Sequence, residues 1–257
     1  MLGGTQRSSS AGLLKVDAPG GYNHPMPTTP DHHAMRVSAL FTRIARRYDL
    51  MNRLMTFGQD QHWRRMAARR AALKPGERVL DLGAGTGDLS LAVLHAEPSA
   101  RVISADFNPR MLAGARSKSL QSLVTCDTQG VPFEDVTFDA VVSGFLVRNV
   151  SDLDQALAEM KRVLKPCGRL VVLDTTRPRR NLLLPFIRFY LRAIIPLLGT
   201  LVTGDREAYR YLPASTEGFL SADELAEALR IAGFTEIGYQ RLMFGTAAIH
   251  WGRWGKG

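Results

Sequence analysis

The stretch Asp81-Leu82-Gly83-Ala84-Gly85-Thr86-Gly87-Asp88-Leu89, "DLGAGTGDL", follows directly on the apolar run Arg78-Val79-Leu80. Its glycines stand at 83, 85 and 87, a G-x-G-x-G spacing, whereas the dinucleotide fingerprint reads G-x-G-x-x-G. Glycines after a strand let the backbone approach a ligand and let the next helix start tightly. Asp81 heads the loop and Asp88 closes it. A carboxylate there repels a pyrophosphate. In a partly desolvated cleft it attracts a cation or an ammonium group.

Outward from the loop, strand and helix patterns alternate. "RVLDLG", "RVISADF", "SLVTCD", "FDAVVSGFL" and "GRLVVLDT" read as strands, with "DLSLAVLHAE", "NPRMLAGARSK" and "SDLDQALAEMKRVL" as helices between them. Continuous apolar strands are those buried on both faces of a sheet. Ser151 with Asp154, and Ser221 with Glu224, are expected to cap their helices, and Gly233 to end the second. "TEIGYQRL" and "TAAIHWGRW" are too close together for a crossover and are expected to pair antiparallel. The expected fold is α/β, a doubly wound, Rossmann-like, seven-stranded and mostly parallel sheet with a C-terminal antiparallel hairpin.

The second strand ends in Asp106, 19 residues beyond Gly87, where a carboxylate accepts from ribose hydroxyls. The third ends in Asp127, placed to accept from an adenine amino group. Three acids at successive strand ends around one switch point suit a nucleoside that carries positive charge and no phosphate. S-adenosylmethionine has that form.

The chain has 257 residues, is 45% hydrophobic and carries a net charge of +9, enough apolar content for one core. The charge permits a nucleic acid, an anionic membrane or an acidic substrate and selects none. Cys126 and Cys167 form no CxxC pair, so neither a disulfide framework nor a zinc site is expected, and a reducing cytosol fits. Residues 1–34 are rich in Gly, Ser, Pro and His and read as a flexible tail, His32 and His33 included. Residues 35–257 read as one domain, with a helical lid over 35–73 and an apolar insertion over 181–216. On the lid, Tyr48 and Asn52 lie four apart and share a helix face. The insertion's longest uncharged run after Arg192, Ala193 to Gly204, is shorter than the ~20 residues of a bilayer span. Leu184, Ile187, Leu191 and Ile195 form one stripe, with Phe186 and Phe189 off it. The extra aromatics suit an isoprenoid tail, a membrane interface or a homodimer contact.

The core resembles the class I S-adenosylmethionine-dependent methyltransferases. Residues 41–65, "FLVRNVSD" (145–152), "MKRVLKPCGRL" (160–170) and "YRYLPAST" (209–216) resemble the ubiquinone/menaquinone C-methyltransferase family. The resemblance implies methylation of a ring carbon on a polyprenylated quinol, without metal or nucleic acid, most simply demethylmenaquinol to menaquinol. It implies a donor site formed by Asp81, Gly83, Gly85, Thr86, Asp106, Asp127, Thr128 and Gly144. Arg148 and Asn149 are the expected catalytic pair, a cation for the phenolate and an amide to orient the quinol oxygen. Tyr48, Asn52, Tyr209 and Tyr211 are expected at the substrate side. His250 matches a family position but, alone in a strand, reads as structural. A cytoplasmic protein, peripheral at the inner face of the cell membrane, is implied.

Four positions depart from the family pattern. Leu146 stands where Gly is usual and bears on the acceptor wall, Asp127-Thr128 replace Asn-Ala, Cys167 replaces Gly, and Asp174 replaces Glu. A nucleic-acid amino methyltransferase would carry Pro-Pro-aromatic where this chain reads "GFLVRN". A non-catalytic donor-binding scaffold in a quinone-making complex is the rival of another class.

Overall fold

A computed structural model of the chain describes residues 32–178 and 182–255. The expected tail over 1–31 and residue 181 of the insertion lie outside the described residues. Helix α1 (His32–Ile44) starts inside the segment expected to be tail, so His32, His33 and Ala34 are helical. Its amphipathic pattern explains this: Leu40 and Ile44 are buried against Met51 and Tyr209. Helices α2 (Tyr48–Met55) and α3 (Gln59–Arg70) follow.

Then comes the alternation. The elements are β1 (Arg78–Leu82), α4 (Asp88–Ala96), β2 (Arg101–Asp106), α5 (Pro109–Ser117) and β3 (Leu123–Thr125). After them run β4 (Phe138–Gly144), α6 (Leu153–Val163) and β5 (Leu164–Thr175). The sheet order is β3-β2-β1-β4-β5-β7-β6, with β6 (Phe234–Leu242) and β7 (Ala247–Trp254) forming the antiparallel edge. Both faces are buried. Leu80, Leu82, Val141 and Leu170 pack with Leu157 and Met160 on one side. Val79, Val142, Val171 and Leu173 pack with Trp63, Ala67, Leu89 and Val93 on the other. That is why these strands read as unbroken apolar runs. The strand order reverses between β1 and β4, which opens a crevice at the carboxyl ends of the strands.

One cap differs from expectation. Asp152, and not Ser151, caps α6 by accepting from the Gln155 amide at 2.9 Å. The Ser151 hydroxyl instead accepts from Gln129 at 2.9 Å. Helix α10 (Ala222–Ile231) carries the expected capping box of Ser221 and Glu224. In the lead-in of β5, Cys167 has φ +63°, a left-handed backbone that costs an L residue roughly 1–2 kcal/mol.

The apolar insertion is one helical run, Leu184–Thr203, of 20 residues. By length and composition it is long and apolar enough to cross a membrane, more than its uncharged stretch suggests, because Arg188 and Arg192 ride within it. It consists of α7 (Leu184–Phe189), a wide turn at Tyr190–Ile194 and α8 (Ile195–Thr203). Pro196 lacks the N–H for the preceding turn, which accounts for the widening. Gly204 then turns the chain into α9 (Arg206–Gly218). A Cβ on Gly199 would lie 2.1 Å from Tyr209 Cγ, so α8 and α9 meet backbone against ring.

Candidate active site

Two cavities open at the crevice, under the lid. The first is lined by Gly83, Gly85, Asp106, Asp127, Thr128 and Gly144 from the sheet, and by Val37, Ser38 and Phe41 from α1. Among the described residues, no lysine or arginine lines it. Asp106 sits at the end of β2 and accepts from the amides of Gly85 and Asn108, both at 2.8 Å. Burial pushes its carboxyl up to about 6, against the effect of those two bonds. Asp127 accepts from the Gln129 amide at 2.9 Å.

Asp81 lies one layer deeper, in a small cavity under the glycine loop, with Arg64, Thr86, Asp88 and Gly144. It is fully buried. One oxygen accepts from Ser90 Oγ at 2.5 Å; among the described residues the other has no partner. Burial pushes this carboxyl up to about 7. Thr86 faces the lid and not the donor cavity, because its hydroxyl donates to Asp49 Oδ1 at 2.6 Å.

The crevice suits S-adenosylmethionine. Among the described residues, Asp106 and Asp127 face a space with no lysine or arginine in its lining, and Asp81 keeps an unused buried oxygen. The loop has no room for side chains: a Cβ on Gly83 would lie 2.7 Å from Leu146 Cβ. Leu146 thus presses on the donor loop and lines the donor cavity, which corrects its expected place on the acceptor wall.

The second cavity is mostly apolar. Met55, Trp63, Tyr190, Leu191, Ile195 and Met243 line it, with Asn52, Arg148, Thr56, Thr175, Thr216 and Thr246 among its polar members. Arg148 is held there by Asp174, whose carboxylate accepts from Nη1 at 2.5 Å and from the Arg148 amide at 3.3 Å. Burial opposes the guanidinium charge, but Asp174 outweighs it and the pKa is raised. Nε of Arg148 and Nδ2 of Asn52 have no partner among the described residues. Tyr48 lines both cavities. Burial raises its phenol above the ordinary range, against the pull of Arg148 and Arg64.

Asn149, expected in the catalytic pair, and Tyr209 and Tyr211, expected at the substrate side, are not among the residues lining the second cavity. Asn149 lines the donor cavity, and its amide is engaged at both ends: Nδ2 donates to the Phe145 carbonyl and Oδ1 accepts from the Tyr211 hydroxyl, both at 3.1 Å. Tyr211 braces Asn149 and is not among the residues lining either cavity. Tyr209 is fully buried between α8 and the lid and anchors the fold. His250 is buried and hydrogen-bonded to the Ala222 carbonyl at 2.8 Å, and burial lowers its pKa. Sequence reasoning missed Phe145, which lines both cavities, and Asn108. Asn108 caps α5 and donates to the Ser38 carbonyl and Thr42 Oγ1 of α1, each at 2.8 Å. The "NP" dipeptide signalled the cap of Asn108 but not its bonds to the lid.

A doubly wound sheet with an antiparallel edge and an acid-lined crevice at its switch point defines a class I S-adenosylmethionine-dependent methyltransferase. Residues 29–254 match the ubiE/COQ5 methyltransferase family, and the chain belongs to that family. It is 47% identical, over 84% of its length and 89% of the relative's, to a ubiquinone/menaquinone biosynthesis C-methyltransferase UbiE of Desulfotalea psychrophila. A demethylmenaquinone methyltransferase of Thermus thermophilus is 44% identical over 83% of this chain and 99% of that one. A solved S-adenosylmethionine-dependent methyltransferase of Thermotoga maritima shares the fold, with TM-score 0.60 at 19% identity over 84% of this chain and 98% of that one.

Proposed function

We propose that the chain methylates a ring carbon of a polyprenyl quinol, converting demethylmenaquinol to menaquinol. One observation carries the reading: an acid-lined cavity and an apolar cavity share a wall made by Tyr48 and Phe145. Bound S-adenosylmethionine supplies an activated, electrophilic methyl group. Asp106 would accept from the ribose hydroxyls and Asp127 from the adenine amino group, and Asp81 would act on the ammonium from beneath the glycine loop. Arg148 stays protonated at all working pH, so it is no base. Among the described residues, the unpartnered Arg148 Nε–H and Asn52 amide are donors that this cavity offers to ring oxygens; they stabilise the phenolate, and it is loss of the phenol proton that makes the ring electron-rich. The walls exclude water and align the partners.

Phe57, Phe186, Phe189, Leu197 and Leu201 are exposed around the apolar helix, which also lines the second cavity. This surface supports peripheral contact with the inner face of the cell membrane by a cytoplasmic protein, and a homodimer would cover the same face. The function is tested by incubating the protein with S-adenosylmethionine and a short-chain demethylnaphthoquinol and weighing the product. Gain of one methyl is expected. Donor binding by calorimetry without turnover would favour the scaffold reading.

A further inference from the structure

We infer that Phe145 is the fixed edge of the aperture between the two cavities and determines which acceptor ring reaches the donor methyl, with Asn149 acting through it. The inference rests on the two-cavity reading above. Among the described residues, Tyr48 and Phe145 alone line both cavities. Tyr48 belongs to the lid; Phe145 follows directly on β4 and belongs to the sheet. Its φ is +61°, a left-handed conformation that is an outlier for a bulky side chain, although Gly144 beside it would adopt it freely.

Such strain persists only where the surroundings over-determine it. Here they do. The Phe145 amide donates to the Leu173 carbonyl of β5 at 2.7 Å, and its own carbonyl accepts from Asn149 Nδ2 at 3.1 Å. Two guanidinium groups approach the ring, Arg64 at 5.2 Å and Arg148 at 5.7 Å from its centroid. The ring is thus clamped on its backbone by β5 and Asn149, and approached by cations from α3 and from the turn after β4. Methyl transfer needs the reacting atoms about 3–3.5 Å apart and in line. A rigid aromatic edge at the shared wall fixes how close, and by which carbon, a ring approaches. Asn149 is a positioning residue on this reading, because its amide holds the Phe145 carbonyl and Tyr211 holds the amide.

The test compares wild type, Phe145→Leu, Phe145→Ala and Asn149→Ala with two acceptors, a short-chain demethylnaphthoquinol and an analogue bearing an ethyl group on its fused ring. Calorimetry with S-adenosylmethionine is run in parallel. In Phe145→Ala, donor affinity is expected within about threefold of wild type, while kcat for the plain quinol falls about 100-fold. The ratio of kcat/KM values is expected to move at least tenfold toward the ethyl analogue. Phe145→Leu and Asn149→Ala should shift the ratio the same way and less. Equal losses on both acceptors, or loss of donor binding together with turnover, would overturn the inference. Should Phe145→Ala fail to fold, the ratio in Phe145→Leu decides alone. Failure of the wild type to methylate either quinol is a separate result, and it strikes the proposed function instead.

Discussion

Asp81 shows how one side chain couples folding, pH and ligand. Its carboxyl is fully buried, bonded once to Ser90, and pushed up to about 7 from 3.8. A folded-state pKa above the unfolded one means the native state holds the proton more tightly. This contribution to stability is therefore complete below about pH 4 and is lost as pH rises through about 7, a change of a few kcal/mol. Donor binding has the opposite sign, because a donor ammonium favours the ionised carboxylate. Affinity of the wild type is expected to tighten from pH 6 to pH 8 relative to Asp81→Asn, measured by calorimetry; parallel curves would remove Asp81 from the donor site. Asp81, Asp106 and Asp127 were readable because a strand end is set by local pattern. Tyr209 and Tyr211 were not. Which way a ring on α9 points depends on Gly199, ten residues earlier on another helix, and on Asn149 across the crevice.

Among the elements, the lid carries the least local information and the most consequence. Asp49 of α2 accepts from Thr86 Oγ1 of the glycine loop and from Lys118 Nζ just past α5, both at 2.6 Å. Lys118 also donates to Asp88, which accepts from Gln61 of α3 at 2.7 Å. Loop, lid and α5 thus meet in one partly buried charge network. Lys118→Met should leave Asp49 and Asp88 facing each other without their cation. We expect donor affinity to fall about tenfold, and limited trypsin cleavage near Arg46 and Arg47 to speed up, with little change in the melting of the sheet. Unchanged cleavage would mean that the network does not hold the lid. The alternation of strands, the antiparallel edge and the Ser221–Glu224 box were legible, since each rests on short-range pattern. The start of α1 at His32 and the choice of Asp152 as a cap were not. The first depends on a packing partner at Tyr209, the second on Gln129 taking Ser151 away.

For the whole molecule, charge and apolar surface fall together. Exposed Arg53 lies on α2 with exposed Leu50 and Leu54, flanked in the chain by exposed Arg46, Arg47 and Phe57, and exposed Arg188 lies on α7 with exposed Phe186 and Phe189. Arg47 donates to the Val202 carbonyl of α8, and Phe57 stacks on Tyr190 with ring centroids 5.7 Å apart, so α2 and the apolar helix form one face. A basic rim around exposed aromatics suits an anionic bilayer. Wild type is expected to float with vesicles containing anionic phospholipid and to be released by high salt. The Phe186→Ser, Phe189→Ser double variant should stay in solution while binding S-adenosylmethionine as before. Wild type that ignores vesicles and sediments as a dimer, with the variant a monomer, would assign the face to self-association.

The seat of Tyr209 on Gly199 bears on how a long-tailed acceptor gets in. Since the ring occupies the volume a side chain would need, α8 and α9 have a single register and cannot slip past each other. The chain turns between them at Gly204, and the pair carries part of the acceptor wall through Ile195 and Thr216. Any rearrangement of the acceptor wall that admits a prenyl chain by shifting α8 must therefore carry the Tyr209 ring of α9 with it.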